Sequence, residues 1–86
     1  MSAQQQNIRV RLFAVARQLA GCDALEMKLA EGATIADLRR ALAERAPALA
    51  AVLPHVLFSV NAEYAANDRV IPLGAEVACI PPVSGG

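Results

Sequence analysis

Aromatic side chains are scarce: two phenylalanines, one tyrosine and no tryptophan in 86 residues. Stacking of single-stranded bases needs such platforms, so that role is a poor fit. An excess of either charge is also missing. Eight Lys and Arg balance eight Asp and Glu, for a formal net charge of +0, whereas phosphate-backbone binding needs a concentrated basic surplus. Arg9 with Arg11, and Arg39 with Arg40, make two small pairs and no stripe. No nucleic acid partner is expected. No apolar run approaches the roughly 20 residues that span a bilayer, so no membrane partner is expected. Met1 to Asn7 carry neither a positive charge nor an apolar stretch, unlike a secretory signal. The expected address is the cytoplasm.

Metal-ligating and nucleophilic residues are equally few. His55 is the one histidine, and Cys22 and Cys79 are the two cysteines. Zinc usually takes four clustered ligands, so no metal site is expected. In the cytoplasm both thiols should be reduced. Cys79 reads as a small core residue on a strand, and Cys22, beside Gly21, as an exposed inert thiol in a turn. Neither a glycine-rich phosphate loop nor a Ser-His-Asp setting is present. The acidic residues, from Asp23 to Glu76, are scattered. Such a chain offers no catalysis of its own and binds no cofactor. A partner must supply the chemistry.

Alternation and helical spacing are well developed. Hydrophobic residues are 56% of the chain, much of it alanine, enough for one small core. Ile8, Val10 and Leu12 alternate with Arg9, Arg11 and Phe13, a half-buried strand over Asn7 to Ala14. A short helix is expected over Val15 to Ala20, stopped by Gly21. Leu25, Met27 and Leu29 alternate with Glu26 and Lys28 in a second strand, Ala24 to Leu29, followed by a turn at Glu31-Gly32. Thr34 can cap the main helix in a box with Asp37. Ile35, Leu38, Ala41 and Leu42 share its apolar face, with Arg39, Arg40 and Glu44 elsewhere, and Pro47 ends it. One loose turn over Ala48 to Leu53 leads to a third strand, where Val56, Phe58 and Val60 alternate with Leu57 and Ser59. A turn at Asn61-Ala62, a short edge strand from Glu63 to Ala66, an irregular crossing and a last strand from Glu76 to Ile80 complete the chain. One main helix on a small mixed sheet is a two-layer α+β domain, and with the last strand beside the first it is the ubiquitin-like β-grasp plan. Residues 1–7 read as a disordered tail, 8–82 as the domain and 83–86 as a flexible working tail.

That tail carries the strongest functional signal. Pro81 and Pro82 fix φ and lack backbone donors, so a strand stops there. Val83 and Ser84 lead to Gly85 and Gly86, which have no Cβ and fit a slot too narrow for a side chain. The group presented is the α-carboxylate of Gly86. A carboxylate is a poor electrophile until ATP converts it to an acyl-adenylate. The activated carbonyl then accepts an amine, giving a protein conjugate, or sulfur, giving a nucleophilic thiocarboxylate. Strand alternation adds a second surface. Val77 and Cys79 should face the core, leaving Ala78 and Ile80 outside. Phe13, Ile80 and Tyr64 then form an apolar patch at the root of the tail, rimmed by arginine, in the manner of a binding surface.

Pro81-Pro82-Val83-Ser84-Gly85-Gly86 closely resembles the tail of the small, sulfur-carrying subunit of molybdopterin synthase. Ile8 to Ala14, Arg17 to Gly21, Val60-Asn61 and Leu73 to Ala78 also resemble that family. Ala75 and Cys79 depart from it, standing where Asp and an aromatic are common. The resemblance spans Ile8 to Gly86 and implies a sequence of partners. An adenylating enzyme of the ubiquitin-activating type uses ATP on Gly86. A sulfurtransferase supplies persulfide sulfur. The large catalytic subunit takes the tail, through Pro81, Pro82, Val83 and Ser84, in a heterotetramer. There the sulfur attacks cyclic pyranopterin monophosphate during molybdenum cofactor biosynthesis. The resemblance also implies that Phe13, Tyr64 and Ile80 contact the large subunit. A sulfur carrier for thiamin or another thiolation pathway would share the fold, the tail and the activation, but its tail less often carries the Pro-Pro-Val-Ser step. A ubiquitin-like protein modifier, its Gly86 in an isopeptide bond, and a docking module with an inert tail are the readings from other classes.

Overall fold

The computed structural model describes residues 4–82. Strand β1, Gln5–Leu12, alternates strictly between exposed and buried residues. It starts before the expected strand, so the tail expected over 1–7 is corrected: Gln5, Gln6 and Asn7 are sheet residues. The reason lies in Gln6, which faces inward, 7% exposed, and donates from Nε2 to the Ile71 carbonyl at 3.4 Å. A buried polar side chain with a partner can occupy a core position that an apolar pattern search passes over.

Helix α1, Ala14–Ala20, follows directly, and Gly21 closes it in the left-handed region with φ 76°. Strand β2, Ala24–Ala30, returns antiparallel to β1, with Gln5 opposite Ala30 and Arg11 opposite Ala24. Helix α2, Ile35–Arg45, crosses the sheet. All four of its leading amide donors are satisfied. Ile35 and Ala36 donate to the carbonyls of Arg69 and Asn67, Asp37 to Thr34 Oγ1, and Leu38 to the Thr34 carbonyl. Asp37 Oδ2 accepts from the Thr34 amide at 2.9 Å, completing the expected capping box. That bond, more than the nearby Arg40, holds the Asp37 carboxyl below its ordinary value.

Two short 3-10 turns, Pro47–Leu49 and Leu53–His55, replace the single loose turn. Strands β3, Leu57–Val60, and β4, Glu63–Ala65, form a hairpin. Its two-residue loop holds Asn61 at φ 51° and Ala62 at φ 70°, the left-handed pair that suits the twist of a tight hairpin. Strand β5, Val77–Ile80, runs parallel to β1 and antiparallel to β3. The sheet order among the described residues is β2-β1-β5-β3-β4. This is the α+β, ubiquitin-like β-grasp arrangement, with the last strand at the centre.

The core gathers Ile8, Val10 and Leu12 from β1, Ile35, Leu38 and Leu42 from α2, Phe58 and Val60 from β3, and Val77 and Cys79 from β5, capped by Leu49, Leu53 and Ile71. Arg39 departs from its expected place on the open side of α2. Its guanidinium lies 4.9 Å from the Phe58 ring centroid. Nη1 donates to the carbonyls of Leu53 and Val56, and Nη2 to Asn67 Oδ1 at 3.0 Å. Leu53 opens the second 3-10 turn and Val56 follows it; neither carbonyl belongs to a sheet ladder, and a planar fork of donors fits them.

Candidate functional site

Central placement of β5 governs the root of the tail. Val60 to Leu57 flank it on one side and Val10 to Leu12 on the other. The Phe13 amide donates to the Cys79 carbonyl at 3.3 Å, carrying the parallel ladder one residue further. Val77 and Cys79 are buried, while Ala78 and Ile80 are half-buried on the opposite face, as alternation required. Pro81 is buried and Pro82 exposed, so the chain leaves the sheet between them. Val83, Ser84, Gly85 and Gly86, the expected working tail, lie outside the described residues.

Register sorts the outer face into rows. Leu12 pairs with Cys79 and Leu57 with Ile80, so Phe13, one residue past β1, stands in line with Ile80 of β5 and Leu57 of β3. Phe13 is 40% and Leu57 52% exposed. The next row is Arg11, Ala78, Ser59 and Tyr64. Tyr64 is 71% exposed but sits on β4, three strand spacings from Arg11, or about 14 Å. The structure therefore brings Phe13 and Ile80 together and puts Tyr64 at the far end of the neighbouring row, beyond the small residues Ala78 and Ser59. Leu57 completes the apolar row that contains Phe13 and Ile80. Its outward direction was present in the alternation of the third strand; the missing information was that β3 lies against β5.

Several contacts set this face. The Arg11 guanidinium carbon lies 5.5 Å from the Phe13 ring centroid, a cation–π contact at the rim. Ala14 takes φ 51°, a left-handed conformation that costs a non-glycine residue about 1 kcal/mol. It turns the chain from β1 into α1 directly after Phe13. Asn61 ties the hairpin to the start of β5. Its amide donates to the Glu76 carbonyl at 2.8 Å, and its Oδ1 accepts from the Glu76 amide at 3.0 Å. The sequence marked Asn61 only as a turn residue. Arg9 and Arg11 also line an open groove of about 600 Å³ with Asp23, Glu26 and Glu76, a wall of mixed charge. Arg9 Nη1 is 3.4 Å from Glu26 Oε1.

Burial pushes the Cys79 thiol up to about 11, so it stays protonated in the core, as expected for a packing residue. Cys22 is half-buried against the core and not the exposed thiol expected. Among the described residues there is no group of three His, Cys, Asp or Glu that could hold a metal. Nor is any helix among them long and apolar enough to cross a membrane.

Residues 10–86 match the ThiS family. The chain belongs to the ThiS family. Its relatives sharpen the comparison. This ThiS-family chain is 37% identical over 79 residues to the molybdopterin synthase sulfur carrier subunit of Arabidopsis thaliana, covering 92% of this chain and 82% of that one. Against the molybdopterin synthase sulfur carrier subunit of Escherichia coli (strain K12) it is 37% identical over 81 residues, covering 92% and 99%. The crystal structure of SAMP1 from Haloferax volcanii superposes with a TM-score of 0.81 at 32% identity, covering 93% of this chain and 99% of that one. The sequence resemblance to the small subunit of molybdopterin synthase is therefore borne out, and so is the β-grasp fold.

Proposed function

We propose that this ThiS-family chain is the sulfur-carrier subunit of molybdopterin synthase and that its working group is the Gly86 carboxylate. The observation that carries this reading is the 37% identity, over 92% of the chain, to molybdopterin synthase sulfur carrier subunits. The match to the family extends through Gly85 and Gly86. In the proposed cycle an adenylating partner joins the Gly86 carboxylate to the AMP part of ATP and releases pyrophosphate. The terminal sulfur of a persulfide on a sulfurtransferase then attacks the acyl carbon. AMP leaves with the former carboxylate oxygen, and a thiol reduces the resulting acyl disulfide to the thiocarboxylate. That sulfur is ionised and polarizable at neutral pH and attacks cyclic pyranopterin monophosphate in the large catalytic subunit.

The body of the domain contributes presentation. Pairing of β5 on both sides, with Pro81 buried, orders the root before docking and lowers the entropy lost on binding. Phe13, Ile80 and Leu57 offer an apolar row beside that root for the large subunit, with Tyr64 at its periphery. Pro82, Val83 and Ser84 would thread the partner's channel, and Gly85 would let the backbone pass close to the nucleotide.

A second reading, a protein modifier, draws on SAMP1, one structure of which is called a small archaeal modifier protein. One experiment separates the two. The protein is incubated with ATP, an activating enzyme and a sulfur donor, then measured by intact mass spectrometry and on denaturing gels. The carrier gains the mass of one oxygen-for-sulfur exchange at Gly86 and stays free; a modifier appears as a covalent ladder. A protein extended beyond Gly86 that is still charged and still supports product formation refutes the carrier reading.

A further inference from the structure

Strand β2 is the outermost strand next to β1, so one side of Ala24–Ala30 has no neighbour in the described sheet. The hydrogen bonds fix which residues point there. Leu12 donates to the Asp23 carbonyl at 2.7 Å and Glu31 to the Gln4 carbonyl at 2.9 Å. With the register of β1 and β2, Leu25, Met27 and Leu29 turn their backbone groups toward β1. Ala24, Glu26, Lys28 and Ala30 turn theirs outward, leaving alternate donors and acceptors free along the edge.

We propose that a second copy of this chain adds to this edge, antiparallel, about a two-fold axis at Met27. The sequence Ala24-Leu25-Glu26-Met27-Lys28-Leu29-Ala30 is complementary to its own reversal in that register. Glu26 of each copy lies opposite Lys28 of the other, Leu25 opposite Leu29, and Ala24 opposite Ala30. The paired positions 24, 26, 28 and 30 are the four whose backbone groups face outward, so the ladder and the charges agree. Moving the axis to Glu26 or Lys28 sets like charges directly opposite, which is destabilising. Moving it between residues sets outward-facing backbone groups against groups already used by β1. Among the described residues Lys28 has no ion-pair partner, and Glu26 has only the exposed Arg9. Leu25 and Leu29 are half-buried beside the core, so the second copy covers the apolar surface they still expose. The contact is isologous and closes at two copies. It joins the two sheets edge to edge at the side away from β4. Both tail roots stay open, so the proposal stands independently of the chemistry at Gly86.

Sedimentation equilibrium of the full chain, up to about 1 mM, tests this, since a short two-strand seam gives weak affinity. The expected result is a monomer–dimer equilibrium. Lys28→Glu should raise its dissociation constant at least about ten-fold, by placing carboxylates opposite each other. The doubly exchanged E26K/K28E chain should restore it to within about three-fold, because the opposite charges face each other again. Circular dichroism melting confirms that each variant is folded. Amide exchange should slow at Glu26 and Lys28 as concentration rises. A chain that stays monomeric throughout overturns the proposal. So does a dimer indifferent to Lys28→Glu, or one that the double exchange fails to restore.

Discussion

Leu57 offers a direct test of the outer row. It stands beside Ile80 and is 52% exposed, whereas its neighbour Phe58 points the other way and is 1% exposed. Fully burying a leucine side chain contributes about 2 kcal/mol. Roughly half of that is already realised in the free domain, and the other half is available to a partner. Under the proposed function, Leu57→Ala should therefore weaken binding to the proposed large-subunit partner by about 1 kcal/mol, or about five-fold in Kd. The same change removes about 1 kcal/mol of folding stability and lowers Tm by about 4–8 °C, as expected for a domain of this size. Phe58→Ala should instead lose about 3–5 kcal/mol of stability, because it empties the core. Isothermal titration against the large subunit and a thermal melt on the same samples read both quantities. Unchanged affinity for a Leu57→Ala chain whose melt shifts no more than expected would remove this row from the interface. A melt as damaged as that of Phe58→Ala would show that Leu57 is core and that the division of faces is wrong.

Two further outcomes follow from the packing of α2. The Asp37 carboxyl is held below its ordinary value of 3.8 by the Thr34 amide and hydroxyl, so its contribution to stability is present above that value and is lost as pH falls through the lower folded value. Urea unfolding across that acidic range should show a decline that Asp37→Asn flattens; identical slopes would refute the capping assignment. Arg39→Met should cost about 2–3 kcal/mol because the Leu53 and Val56 carbonyls lose charged donors, while Arg40→Met, which loses only an exposed pair, should stay within about 0.5 kcal/mol. Equal losses in urea titrations of the two variants would contradict that distinction.

Much of this fold was legible because local pattern and tertiary environment agree. Ile8, Val10 and Leu12 alternate in the sequence and are buried in the sheet. Thr34 and Asp37 are spaced as a capping box and form one. The pattern misled where polarity and burial part company. Gln6 and Arg39 are polar residues that donate to distant carbonyls, at Ile71 and at Leu53 and Val56, which no local window contains. The candidate surface was half legible for a related reason. Alternation gives the face of Phe13, Ile80 and Leu57, but only strand order gives their neighbours, and that order depends on pairing between residues far apart in the chain. Tyr64, expected at the patch from its place near the Asn61-Ala62 turn, stands on the edge strand β4.

Strand β5 is held on both flanks, parallel to β1 and antiparallel to β3, and the tail continues directly from it. A pull along the strand axis at the Pro81 end would load both ladders in shear, so their bonds must yield together. Peeling one bond at a time would need a strand at the margin of the sheet. In the proposed cycle, withdrawing the tail from a partner's channel would therefore pull on the domain without unravelling it, and one molecule would serve repeated rounds of insertion and withdrawal.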